Sequence, residues 1–242
     1  MVGCAIIVGV GPGLGASLAR RFARGGFPVA LVARRLEGIS PVKESIEAEK
    51  GKASCYVADG TDENQVKEAF AKIRAELGEP EVLCYNVGPN VLSQGWPPPT
   101  VESITVANFR QGVETGVVGA FLWCKQLLPI VKSAKKGTIL FTGATAGLRG
   151  AANFSGLSPG KFALRSLSQT LAKELHPCGV HVAHVIVDGI IDTERIRTLM
   201  PERPTEEMLD PDAMADEYWK LHTQHPSTWS QEIDLRPFTE KF

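Results

Sequence analysis

Cys4-Ala5-Ile6-Ile7-Val8-Gly9-Val10-Gly11-Pro12-Gly13-Leu14-Gly15 is an apolar run that ends in a cluster of glycines, and Ala16-Ser17-Leu18-Ala19-Arg20-Arg21-Phe22 follows it. A strand, a glycine-rich turn and an amphipathic helix, in that order, form the phosphate-binding start of a dinucleotide-binding fold. Glycine permits the tight turn and the close approach of backbone to a pyrophosphate. The helix N-terminus then offers free N–H groups and a partial positive charge to that anion. Structural turns also use glycine. The position of this cluster between strand and helix is what selects cofactor binding.

Beyond that stretch, strand-like and helix-like segments alternate. Strands are expected at 6–8, 29–33, 53–58, 82–86, 138–142 and 181–187, and helices at 14–24, 40–50, 63–77 and 161–175. Phe109, Val113, Val117, Phe121 and Leu127 recur at helical spacing through a long segment between the fourth and fifth strands. Such alternation calls for a doubly wound α/β domain of Rossmann type, a parallel sheet with helices on both faces and ligands at the carboxyl ends of its strands. The length of 242 residues suits one domain spanning 1–242. Two stretches interrupt the pattern: the prolines 97–99, and residues 192–230, read as a substrate-loop region with one short helix near 214–222.

The formal net charge of −1 gives no electrostatic case for nucleic acid or an acidic membrane surface. Cys4, Cys55, Cys84, Cys124 and Cys178 are scattered without a CxxC pair, so they read as core residues of a reducing compartment and no metal site is expected. No apolar stretch is expected to reach membrane-spanning length, and the chain enters its first strand without a signal region. A cytoplasmic protein is the default expectation.

The residues resemble the short-chain dehydrogenase/reductase family over nearly the whole chain, more weakly after about residue 195. The family's Gly-x-x-x-Gly-x-Gly turn is matched by Gly9, Gly13 and Gly15, with Gly11 and Leu14 inside it. Asp59 matches the acid that meets adenine. Tyr85-Asn86-Val87-Gly88 stands for the family's Asn-Asn-Ala-Gly, and Asp188-Gly189 for its Pro-Gly. The resemblance implies a backbone amide for the nicotinamide carboxamide at Ile191 and a hydroxyl for the pyrophosphate at Thr193.

The end of the second strand reads Leu31-Val32-Ala33-Arg34-Arg35. An NAD site usually carries an acid there to bond the ribose 2′-OH. Glu37 lies further into the loop, and two guanidiniums stand instead where a 2′-phosphate would sit. NADP(H) is therefore expected over NAD(H). Arg34 follows the strand directly; Arg35 reads equally as a solvated loop residue.

In the family a Tyr donates a proton, a Lys four residues later tunes it and holds the nicotinamide ribose, a Ser bonds the substrate oxygen, and an Asn supports a water relay. Here the resemblance assigns the Lys to Lys161. Leu157 falls on the Tyr position, Ala144 on the Ser position and Gly116 on the Asn position. Two functions follow. One is an NADP(H)-dependent oxidoreductase-like protein with an atypical active site, moving a hydride to or from a small carbonyl or alcohol. The other is a catalytically inactive NADP(H)-binding sensor or scaffold. Tyr56 reads as core, Tyr85 ends a strand at the cofactor edge, and Tyr218 is free to swing in from the substrate loop. Thr142, Thr145, Ser155 and Ser158 are the nearer hydroxyls. An Asp in place of the family's Pro at 188 reads as turn-forming, or as a carboxylate beside an oxidised nicotinamide.

His181 and His184 read as packed strand residues on opposite faces, and His222 and His225 as surface or capping residues. Trp96, Trp219 and Trp229 read as a lid over a bulky substrate or as loop anchors. The resemblance also implies a homodimer or homotetramer built through the long helix around 106–131 and the Lys161 helix, with Val117, Phe121 and Trp123 available to the contact or, equally, to the core.

Overall fold

The computed structural model describes residues 3–89 and 98–240. Trp96 and Pro97 lie outside the described residues. Strands β1 (Cys4–Val8), β2 (Val29–Ala33), β3 (Ala53–Val57) and β4 (Pro80–Tyr85) are joined by helices α1 (Leu14–Arg24), α2 (Ser40–Ala48) and α3 (Glu63–Leu77). Helix α4 (Val106–Val113) runs through a π-helical turn at Glu114–Val118 into α5 (Gly119–Ala134). There follow β5 (Gly137–Thr142), α6 (Ser158–Leu175), β6 (Val180–Val187), β7 (Ile190–Ile191), α7 (Glu194–Leu199), β8 (Met208–Leu209), α8 (Pro211–Thr223) and β9 (Glu232–Leu235).

The main sheet is parallel throughout, in the order β3-β2-β1-β4-β5-β6-β9. β1 and β5 are buried along their whole length, as a strand covered on both faces must be. Alternate residues supply two cores. Ile6, Leu83 and Phe141 point to α3, α5 and α6, where they meet Phe70, Trp123 and Leu164. Ile7, Leu31 and Leu140 point to α1, α2 and α8, where they meet Phe22, Ile46 and Tyr218. Asp62, Thr105 and Asp210 cap α3, α4 and α8 by accepting N–H groups of the first turn.

Four sequence expectations are corrected here. Residues 192–230 hold two helices and a short strand rather than one helix, and β9 adds an edge strand beyond them. α8 packs on α1, with the Arg21 guanidinium 4.5 Å above the Trp219 ring. Trp219 lies against Phe22 and Phe27, and Trp229 stacks on His181, so neither forms a lid. His222 belongs to the same aromatic cluster and hydrogen-bonds Thr138 at 2.9 Å, which makes it a packed residue. The helical run Val106–Ala134 is long and apolar enough to cross a membrane by length and composition, contrary to expectation. In the fold it covers the sheet, and its Trp123, Cys124 and Leu127 are core residues.

Candidate functional site

The chain winds outward through β1, β2 and β3, then returns to the other side of β1 with β4. The loops leaving β1 and β4 therefore part from each other, and a crevice opens at the carboxyl ends of the strands. A groove of about 630 Å³ lies there. Gly9, Gly11, Arg34, Arg35, Asp59, Asn86, Val87 and Gly88 all line it.

The turn is built for close approach. Gly9 has φ +88°, and a Cβ there would run into the Asn86 carbonyl. A Cβ on Gly15 would lie 2.6 Å from the Gly9 carbonyl oxygen, so the start of α1 is pressed against the turn. Nothing stands within 4 Å of a Cβ on Gly11, which faces the open groove. Asn86 holds the turn from the β4 side. Its N–H donates to the Val8 carbonyl at 2.9 Å and its Nδ2 to the Gly9 carbonyl at 3.2 Å. No side chain caps α1 and no acid occupies its first turn, so Leu14 and Gly15 begin a helix whose positive end is open to an anion. The shape and donor set fit a dinucleotide diphosphate.

Arg34 and Arg35 are exposed at the end of β2. Across the groove, Asp59 accepts from the Thr61 N–H at 2.9 Å and from its hydroxyl at 2.7 Å. Gln111, Glu114 and Thr115 also line the groove. Sequence reading missed them. Their signal was the polar i, i+3, i+4 spacing opposite the apolar stripe of the long helix.

Lys161 is buried one turn into α6. Its Nζ donates to the Thr142 carbonyl at 2.7 Å and the Val87 carbonyl at 3.2 Å, and it lies 3.7 Å from a Cβ built on Gly88. Burial pushes its pKa down to about 8. Leu157 precedes α6, half-buried, and Ala144 leads into a 3-10 turn at Thr145–Gly147. Gly116 lies in the π-helical turn, pressed on α6: a Cβ there would sit 2.6 Å from the Gly160 Cα. The structure thus brings Lys161 to the groove's edge at Val87 and Gly88. Gly189, with φ +153°, packs on Pro237, Ile191 pairs with Leu209, and Thr193 caps α7 while its methyl abuts Gly13.

The tyrosines are all committed elsewhere. Tyr218 is fully buried and shares a 2.8 Å hydrogen bond with Thr142, on the face of the sheet opposite α6. That corrects the expectation that it swings into the site. Tyr85 donates to the Thr115 carbonyl at 2.7 Å, and Tyr56 to Glu76 at 2.9 Å. Burial pushes all three phenols up, away from any acid role. Among the nearer hydroxyls, the Oγ atoms of Ser155 and Ser158 are buried without a hydrogen-bond partner among the described residues.

Asp188 is not a plain turn residue. Its carboxylate accepts the Thr145 hydroxyl and lies 3.5 Å from the Arg236 guanidinium. Four residues earlier on β6, His184 Nδ1 meets Glu232 at 2.9 Å, and Arg165 grips the same carboxylate through two bonds of 2.7 Å. Arg165 is the main reason the Glu232 carboxyl is held below its usual range.

The sequence profile of the short chain dehydrogenase family matches residues 3–204. Sorbitol-6-phosphate 2-dehydrogenase of Escherichia coli (strain K12) is 25% identical over 217 residues, 88% of this chain and 82% of that protein. Levodione reductase of Leifsonia aquatica is 30% identical over 205 residues, 82% of this chain and 74% of that protein. A short-chain dehydrogenase from Rhodopseudomonas palustris superposes with a TM-score of 0.82 at 30% identity, covering 98% of this chain and 99% of the other.

Proposed function

Because this chain belongs to the short-chain dehydrogenase family, we propose that it is an NADP(H)-dependent oxidoreductase with an atypical proton route, acting on a small carbonyl or alcohol. The observation that carries the cofactor choice is the pair of guanidiniums at the groove. Arg34 and Arg35 line it, both exposed, and neither is engaged by a carboxylate among the described residues. Planar, permanently charged groups suit a ribose 2′-phosphate. When bound, the nicotinamide supplies a hydride donor or acceptor. Gly9, Gly11, Gly13 and the N–H groups of Leu14 and Gly15 would hold the diphosphate. Asp59 would meet the adenine, Asn86 to Gly88 the central sugar region, and Lys161 the nicotinamide ribose, with Gly189, Ile191 and Thr193 closing over that end.

Leu157 and Ala144, standing where the family carries its Tyr and Ser, support the atypical proton route. They also favour a second reading, an inactive NADP(H) sensor or scaffold. Calorimetric titration separates the cofactors: Arg34→Ala is expected to weaken NADPH binding about 10- to 100-fold, the worth of a charge-assisted bond, and to leave NADH binding nearly unchanged. Tighter NADH binding that ignores Arg34 contradicts the choice. Single-turnover oxidation of NADPH by a panel of aldehydes and ketones, and reduction of NADP+ by a panel of alcohols, separate enzyme from sensor. Tight binding without hydride transfer in either direction supports the sensor.

The proposal takes the chain as one cytoplasmic domain, with its five free cysteines in a reducing compartment. It also takes a homodimer or homotetramer through α4–α5 and α6, because Phe109, Phe121 and Phe162 are exposed on those helices. Light scattering should then give twice or four times the chain mass of 26.1 kDa; a monomer contradicts it.

A further inference from the structure

We propose that Thr145 is the hydroxyl that touches the reacting oxygen and that Asp188 exchanges the proton with it, taking it when an alcohol is oxidised. The inference rests on the oxidoreductase reading above and adds a proton relay to it.

Thr145 opens the 3-10 turn that follows β5, one residue past Ala144. Asp188 follows the end of β6, one residue before Gly189. The two therefore neighbour Ala144 and Gly189 in the chain, and Gly189 is one of the residues that the reading above puts at the nicotinamide end. Thr145 Oγ1 donates its hydrogen to Asp188 Oδ1, with a weaker approach of 3.5 Å to the Val187 carbonyl. With its one hydrogen directed to the carboxylate, the hydroxyl keeps lone pairs that can only accept. Thr145 is half-buried.

Asp188 is held from two sides. Its backbone N–H donates to the Leu235 carbonyl at 2.9 Å, and its carboxylate faces Arg236, which also pairs with Asp234. A turn-forming Asp bonds the backbone two residues on; this one turns to Thr145 and Arg236 instead. The Thr145 hydroxyl and the Asp188 carboxylate are thus joined as a relay for one proton.

The balance is simple. The substrate's C–H bond breaks, and its electron pair leaves as hydride to the oxidised nicotinamide. The substrate's O–H proton passes to Thr145 Oγ1 as the Thr145 proton passes to Asp188 Oδ1. The products are a carbonyl compound, the reduced cofactor and protonated Asp188. Asp188 returns its proton to water, to which its side chain remains 13% exposed.

The test uses the whole protein as wild type, Thr145→Val, Thr145→Ser and Asp188→Asn. NADP+ binding is measured first by calorimetry. Binding of trifluoroethanol to the NADP+-loaded protein is then followed by fluorine NMR, and NADPH formation is followed with isopropanol, cyclohexanol and benzyl alcohol. Thr145→Ser should keep turnover within about threefold of wild type, while Thr145→Val and Asp188→Asn lose about 10²-fold or more, the range of a lost acid–base group. All four should bind NADP+ alike, and trifluoroethanol affinity should fall only in Thr145→Val, which loses the accepting oxygen. A staple without chemistry would leave Asp188→Asn near wild type, since its amide oxygen still accepts the Thr145 hydrogen. That result overturns the proposal, as does equal trifluoroethanol binding by all four proteins or none by wild type. Failure of wild type to bind NADP+ overturns the oxidoreductase reading as well, so the two failures are told apart at the first step.

Discussion

Gly116→Asn is expected to destabilise the protein by about 3 kcal/mol, at the upper end of what overpacking a filled contact costs, and to rebuild no relay. The family resemblance places an Asn at this position, so the change looks like a restoration. The structure leaves no room for it. Gly112 and Gly116 of the long helix meet Gly156 and Gly160, which lead into and begin α6. A Cβ on Gly116 would sit 2.6 Å from the Gly160 Cα, 2.8 Å from its carbonyl carbon and 3.0 Å from its oxygen. A Cβ on Gly112 would run into the Gly156 carbonyl, and one on Gly160 into the Gly112 carbonyl. Backbone cannot step aside as a flexible side chain can, so the two helices must separate. For a chain of this size the melting temperature should fall by about 6–12 °C. A variant that melts with wild type would show that the helices re-space without cost.

Gly9→Ala should cost both stability and cofactor. At φ +88° an L-residue is strained by about 1–2 kcal/mol, and its methyl would strike the Asn86 carbonyl. The turn must then move away from β4, taking with it the Asn86 Nδ2 bond to Gly9. Loss of two amide contacts to phosphate, at about 1–1.5 kcal/mol each, weakens binding on the order of 10²-fold. Fluorescence titration of NADPH measures it. Retained affinity in a folded Gly9→Ala protein would remove this turn from the diphosphate site.

The parts of the fold legible in the sequence were those written locally. β1 is an unbroken apolar run, β5 has Ile139-Leu140-Phe141 at its centre, and the glycines of the first turn stand where β1 ends. What stayed illegible depends on partners far along the chain. β9 reads Glu232-Ile233-Asp234-Leu235, a short charged segment that looks like loop until His184, Arg165 and Arg236 are seen to take its carboxylates. Asp188 looks like a turn residue until Thr145, 43 residues earlier, is found beneath it. The helix of Tyr218 was legible, but not its direction, because packing of α8 on α1 sets which face is turned inward. Lys161 was singled out in the sequence by the family resemblance. Its two carbonyl partners were not, since they come from the ends of β4 and β5.

β9 is made after every other strand of the main sheet, yet it is laid on the free edge of β6 and fixes Asp188 through Leu235 and Arg236. During synthesis, then, the glycine turn and its groove can form while β6 is still an open edge. A chain paused on the ribosome before residue 232 would have its glycine turn complete but no anchored carboxylate at the far end. The order of translation thus builds the groove before the edge strand that fixes Asp188.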